Sequence, residues 1–203
     1  MRLRNGGHMK NIIFEMLEKN DVEGIKQLSP ILYLNSDANG DTLLMRAINL
    51  KNEEIVNYLL SLEEKPFLNC TNVMKENALF CAIYEQNENL ALRLIELGIN
   101  VNQINLQGFT PLIFACSFNL PKVVDALLKL GVDVNQRSTP FGTTALTHAA
   151  INGMYDTVVA LLTYGADKNN VDMYGMTPSN WASFQDYKEI SKFIEQFPKI
   201  GAC

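Results

Sequence analysis

The 203-residue sequence predicts an all-α fold built from repeated helix-turn-helix units, and three observations carry that prediction. The stretch from Gly108 to Asn135 can be laid over four other places in the chain, with Thr42, Asn77, Thr110, Thr144 and Thr177 as equivalent markers 35, 33, 34 and 33 residues apart. Thr110-Pro111 and Thr177-Pro178 start helices, because the Thr hydroxyl caps a free N–H and Pro at the first helical position lacks an N–H that has no partner there. Gly98, Gly131 and Gly165 each follow an apolar helical run, where a left-handed residue closes the helix.

Residues 9 to 36 form a degenerate first unit, with Ile12, Ile13, Met16 and Leu17 on one helical stripe, Val22, Ile25 and Leu28 on a second, and Lys19-Asn20-Asp21 as the turn. Lacking the Thr-Pro-Leu opening, it suits an N-terminal cap with one wet face. Residues 37 to 71 carry Thr42-Leu43-Leu44, Ala47, Ile55-Val56 and Leu59-Leu60, but Glu63 stands where the closing Gly belongs, and Glu64-Lys65-Pro66 lies in a longer loop. Residues 72 to 104 open weakly at Lys75-Glu76-Asn77, and Asn77 replaces Thr as the cap. The next unit spans 105 to 137. The fifth, 138 to 171, has one extra residue around Ser138-Thr139-Pro140-Phe141, which redirects its turn. The last, 172 to 203, replaces apolar residues by Ser179 and Ser191, reads as a C-terminal cap with a polar outer face, and ends in a tail after Phe197-Pro198. Residues 1 to 8 look like an expression-vector remnant and are set aside.

Thr110-Pro111-Leu112, Ala115, Val123-Val124, Leu127-Leu128, Gly131, Asp133 and Asn135 resemble the ankyrin-repeat pattern, and Gly142, Thr144, Leu146, Ala149-Ala150, Gly153, Leu161-Leu162 and Gly165-Ala166-Asp167 resemble it again. The resemblance covers roughly residues 11 to 197 and implies an all-α ankyrin-repeat solenoid of about six units, four internal and two capping, with short hairpin fingers. It also implies non-catalytic protein–protein recognition on a concave face made by the fingers and the exposed side of the first helices.

Composition narrows the function. A formal charge of −5 and a pI near 5.1 oppose nucleic-acid binding, which needs clustered Lys and Arg to neutralise phosphates. No run approaches the length of a membrane span, so no membrane association is expected. Cys70, Cys81, Cys116 and Cys203 form no CxxC pair and only His8 and His148 could join them, so neither a metal nor a cofactor is expected. This cysteine usage fits a cytoplasmic protein, with delivery into a host cell as an alternative. Phosphate-binding, zinc-protease and nucleophile-elbow motifs are missing, and His148 reads as a packed or hydrogen-bonded helix residue; no enzyme is expected.

Counted from the marker, the positions three, four and one before it and seven and eight after it face the expected groove. In units three to six, thirteen of these twenty positions are apolar or aromatic and two are charged, which singles the face out, because large exposed apolar patches mark interaction sites. Met74, Glu76, Tyr84, Glu85, Phe109, Phe118, Phe141, Ile151, Tyr174, Met176 and Phe184 are the candidate partner-binding residues, the rings as anchors and Glu76 and Glu85 selecting a basic residue on the partner. Packing along neighbouring fingers is the competing account, particularly for Phe141. A monomer with a protein partner is expected, with self-association through the same patch as the alternative. An inhibitor or immunity-type protein that blocks one enzyme, or a delivered bacterial effector that captures a host protein, are the other readings.

Overall fold

The computed structural model describes residues 6 to 198; Met1–Asn5 of the stretch set aside above, and Lys199–Cys203 of the expected tail, lie outside the described residues. Twelve α-helices and one 3₁₀ turn occur among them, with no strand, as the all-α expectation required. The chain divides into two compact units, Met1–Glu85 and Gln86–Cys203.

In the first unit, α1 (Gly6–Glu18) and α2 (Val22–Lys26) are followed by the 3₁₀ turn Pro30–Leu34, α3 (Leu43–Asn49), α4 (Glu53–Ser61) and α5 (Ala78–Tyr84). Helix α1 takes in Gly6 to His8, and its Ile13 and Leu17 are buried with Val22 and Ile25 of α2. α1 packs on α3 and α3 on α5, while α2 packs on α4. Asn20 and Lys51 turn the two helix pairs at φ of 56° and 55°. Asn20 is the turn residue expected from Lys19-Asn20-Asp21; Lys51 occupies the same left-handed position although its side chain does not favour it. Thr42 and Asn77 cap α3 and α5 as expected, accepting from Met45 N (3.4 Å) and Leu79 N (3.2 Å).

The irregular end of the second repeat encloses a small core of its own. Helix α4 closes on Leu62 in an extended conformation (φ −61°, ψ 143°), whereas the equivalent Leu97, Leu130 and Tyr164 stay near helical and are followed by Gly. The Lys65 ammonium donates to the Leu62 carbonyl, and the loop beyond buries Phe67 and Leu68. Phe67 lies edge-on to Tyr33 of the 3₁₀ turn at 6.3 Å, and Tyr33 lies edge-on to Tyr58 at the same distance. Tyr33 is fully buried and donates to Ile25 O at 3.0 Å; burial, the largest cause, and the Tyr58 hydroxyl push its pKa far up. Burying two such rings contributes about 2–3 kcal/mol each.

The second unit holds α6 (Glu88–Glu96), α7 (Pro111–Ser117), α8 (Pro121–Lys129), α9 (Ala145–Ile151), α10 (Tyr155–Thr163), α11 (Pro178–Phe184) and α12 (Lys188–Gln196). The seven-residue helices α7, α9 and α11 pack in one row, and the nine-residue α6, α8, α10 and α12 in another. Ala115, Cys116, Ala149, Ala150 and Ala182 are fully buried, as small residues must be where helices approach closely. Thr110, Thr144 and Thr177 cap their helices, accepting at 3.3, 3.4 and 3.2 Å from the N–H three residues on. Gly98, Gly131 and Gly165 stand at φ of 80°, 72° and 86°, the left-handed closure expected of them.

One expectation about the last repeat is corrected. Ser179 and Ser191 do not face water: both are buried, their hydroxyls 3.0 Å apart, and Ser179 donates to Glu195 Oε1 at 2.8 Å. Two small hydroxyls that satisfy each other between α11 and α12 need no water. Lys168 donates to Glu195 O (2.7 Å) and Phe197 O (2.6 Å), placing a cation on the last carbonyls of α12.

Candidate protein-interaction face

The fingers that precede α3, α5, α7 and α11 share one anchor. Five residues before the marker stands Asp37, Asn72, Asn105 or Asp172, whose Oδ1 accepts from the backbone N–H groups two and four residues on. For Asn105 these are Gln107 N and Phe109 N, both at 3.0 Å; for Asp172 they are Tyr174 N (2.9 Å) and Met176 N (3.0 Å). Asp37 and Asn72 make the same pair in the first unit. The anchor backbone also donates back, Asn105 N to Phe109 O and Asp172 N to Met176 O, at 3.0 and 3.1 Å. A tip held by its own side chain needs no ladder to keep its shape. This set was missed at the sequence level, although an Asp or Asn five residues ahead of four markers was there to be seen.

The fifth finger differs as its extra residue predicts. Ser138 takes the anchor's place one residue earlier, its N–H donates to Thr143 O at 2.9 Å and its Oγ accepts from Thr143 N at 3.1 Å. Neighbouring fingers in this unit are joined through the backbone, Thr139 N to Gln107 O (2.8 Å) and Met173 N to Phe141 O (2.9 Å). These bonds set the spacing of the side chains on the tips.

Two aromatic clusters form on these supports. Phe109, half-buried, meets Phe114 edge-on at 5.7 Å and His148 at 6.0 Å, and Phe114 meets Phe118 at 5.6 Å. The expected anchors Phe109 and Phe118 are thus brought together through Phe114, which sequence reasoning did not single out. The second cluster joins Tyr174 and Phe184 through Trp181, at 6.2 and 5.8 Å and nearly perpendicular planes. Trp181 donates from its indole to Asp172 Oδ2 at 2.6 Å. It also escaped the sequence reading, although it is the sole tryptophan and lies one helical turn past the marker Thr177. Tyr174 is 61% and Phe184 74% exposed, Phe141 is exposed, and Ile151 and Met176 are half-buried.

The remaining candidates lie in the first unit. Tyr84, 60% exposed, ends α5, and Met74 and Glu76 sit half-buried on the finger held by Asn72. Glu85 caps the end of α5 and pairs with Lys51 at 3.1 Å, so a basic residue on a partner would have to compete with Lys51.

Burial sets the state of one imidazole and two thiols. His148 bonds through Nδ1 to Ser117 Oγ (3.0 Å) and through Nε2 to Thr143 Oγ1 (3.1 Å), and burial lowers its pKa to about 4. Burial also raises the Cys81 and Cys116 thiols far above their ordinary range, which leaves them as un-ionised packing groups, as expected for Cys116. Among the described residues no group of three or more His, Cys, Asp or Glu side chains could hold a metal ion, and no helix is long and apolar enough to cross a membrane.

Comparison with known proteins agrees with this geometry. The chain is 27% identical over 158 residues to the ankyrin repeat protein L371 of Acanthamoeba polyphaga mimivirus, a match covering 78% of this chain and 20% of that protein. It is 38% identical over 87 residues to the ankyrin repeat protein FPV031 of Fowlpox virus, covering 42% and 26%. It is also 28% identical over 156 residues to the glycerophosphocholine phosphodiesterase gde1 of Schizosaccharomyces pombe, covering 76% and 14%. The chain therefore spans about a quarter or less of each of these proteins. Ankyrin repeats are a non-catalytic fold that generally mediates protein–protein interaction, although some relatives are named as enzymes. A single ankyrin repeat is matched at residues 39–72 and arrays of ankyrin repeats at 62–138 and 131–199; with markers, caps and helix pairs in agreement, the chain belongs to the ankyrin-repeat family.

Proposed function

We propose that this chain is a non-catalytic protein-binding module, and that a protein partner docks on the ring-bearing side of Gln86–Cys203. Phe109, Phe118, Phe141, Ile151, Tyr174, Met176 and Phe184 supply the contact. The observation that carries this reading is the pair Tyr174 and Phe184, 61% and 74% exposed yet each held edge-on against Trp181. Exposed rings that are already ordered lose little entropy on binding and are typical energetic centres of interfaces. The neutral, hydrogen-bonded His148 and the raised thiols support a non-catalytic role. The charge of −5 favours a protein over a nucleic acid. In the first unit, Met74, Glu76, Tyr84 and Glu85 provide a further contact.

Affinity capture from lysate of the source cell tests the reading, with the wild-type chain run beside a Tyr174→Lys/Phe184→Lys variant whose helicity is checked by circular dichroism. One protein retained by the wild type and lost by the folded variant is expected. Equal retention by both overturns the assignment of the face, and retention only of further copies of the chain itself contradicts the heterologous partner.

A further inference from the structure

The same end of the second unit carries a buried negative charge beside its exposed rings. Asp172 is 6% exposed and its carboxylate has three hydrogen-bond partners, the N–H groups of Tyr174 and Met176 and the Trp181 indole, all of them neutral. No ion pair to it occurs among the described residues. Asn72 and Asn105 hold their fingers by the same two backbone bonds without a charge, and at 172 the second carboxylate oxygen is the one that takes the Trp181 indole N–H. Three N–H donors stabilise the Asp172 carboxylate as an anion, and the Arg137 guanidinium donates to the adjacent Val171 carbonyl at 2.7 Å rather than to the carboxylate, so Asp172 keeps a negative charge that attracts a further cation.

What surrounds Asp172 suits such a cation. The Tyr174 and Phe184 rings stand at 86° and 87° to the indole, so no ring stacks face to face on another within the trio. Ring faces are electron-rich, and donation from the indole N–H to a carboxylate adds electron density to the strongest cation-binding ring a protein has. Resting on the docking surface proposed above, we infer that Tyr174, Trp181 and Phe184, backed by Asp172, hold a cationic side chain of a basic segment of the partner, arginine in preference to lysine. Guanidinium is planar, weakly hydrated and stacks on aromatic faces, whereas ammonium holds its water more tightly. The net charge of −5 draws a basic segment towards the chain without choosing where it lands. The rings and the carboxylate choose the place.

Trp181 is the only tryptophan, so its fluorescence reports from the proposed site alone. Titration of the full chain with an arginine–glycine oligopeptide should shift Trp181 emission saturably, and the same peptide with citrulline in place of arginine should not. A Tyr174→Leu/Phe184→Leu variant keeps apolar bulk but loses two ring faces, and it should bind roughly tenfold more weakly. Asp172→Asn, a residue that two other fingers accept at this place, should weaken binding similarly and provides a second route if the double variant folds poorly. Equal binding of the citrulline peptide, or arginine affinity unchanged in these variants, overturns the inference. A partner captured through the face by a chain whose Trp181 ignores the arginine peptide would sink this inference and leave the docking surface standing, whereas capture unaffected by Tyr174→Lys/Phe184→Lys sinks both.

Discussion

His148 has its proton placed by its neighbours. Ser117 Oγ donates to Ile113 O at 2.8 Å, so toward the ring it accepts, which puts the imidazole hydrogen on Nδ1. Nε2 then accepts from Thr143 Oγ1, which accepts in turn from Ser138 Oγ at 2.7 Å, and Ser138 Oγ takes the Thr143 N–H. Every group in this chain is satisfied with a neutral ring, and a second ring proton would leave one hydroxyl without a partner. Burial therefore lowers the pKa to about 4. Between that value and the ordinary 6.5 the unfolded chain binds more protons than the folded one, so stability falls as pH drops through this window. The wild type should lose about 2 kcal/mol more than His148→Gln between pH 7.5 and pH 5, read from urea midpoints at each pH. Equal losses in the two proteins would show that the ring does not control the effect. That His148 would be packed and bonded was legible from its place on a repeat helix. Trp181 was not, because periodic reading weighs what recurs and a unique residue recurs nowhere; Tyr33, fully buried in an irregular turn, escaped for the same reason.

At the scale of the element, the finger is a turn built by one side chain. Asn105 is 3% exposed and its Oδ1 holds two backbone N–H groups. Asn105→Ala leaves both short of a partner and should cost about 1–3 kcal/mol, seen as a lowered thermal midpoint, while Asn105→Asp should cost less than the alanine variant because a carboxylate oxygen can take the same two N–H groups, as at Asp37 and Asp172. An alanine variant as stable as the wild type would mean that the N–H groups find water at no cost. The helix starts and stops were legible because each rests on a local rule: a hydroxyl or amide before the first turn, a glycine after the last. The extra residue of the fifth finger could be counted directly from the spacing between Thr110 and Thr144. The close of the second repeat could be flagged at Glu63 but not drawn, since the burial of Phe67 against Tyr33 depends on contacts that no local pattern encodes. The wet face expected of the last repeat failed in the same way, because burial of Ser179 and Ser191 depends on their pairing with each other.

For the molecule as a whole, period and family were the most legible features, since five markers repeat the same chemistry along most of the chain. The candidate rings were identifiable by their place relative to the marker; their grouping into two clusters through Phe114 and Trp181 was not, because a ring's neighbours depend on how the fingers are spaced. The central claim is that the ring-bearing side of the second unit, and not its nine-residue helices, receives the partner. Hydroxyl-radical footprinting of the captured complex tests it most directly, because exposed aromatic side chains oxidise readily and Tyr155 and Tyr164, on and just after α10, supply internal controls at 43% and 48% exposure. Protection of Tyr174, Phe184 and Phe141 with unchanged oxidation of Tyr155 and Tyr164 is the expected result. Protection of Tyr155 and Tyr164 with the three rings still oxidised would contradict the account.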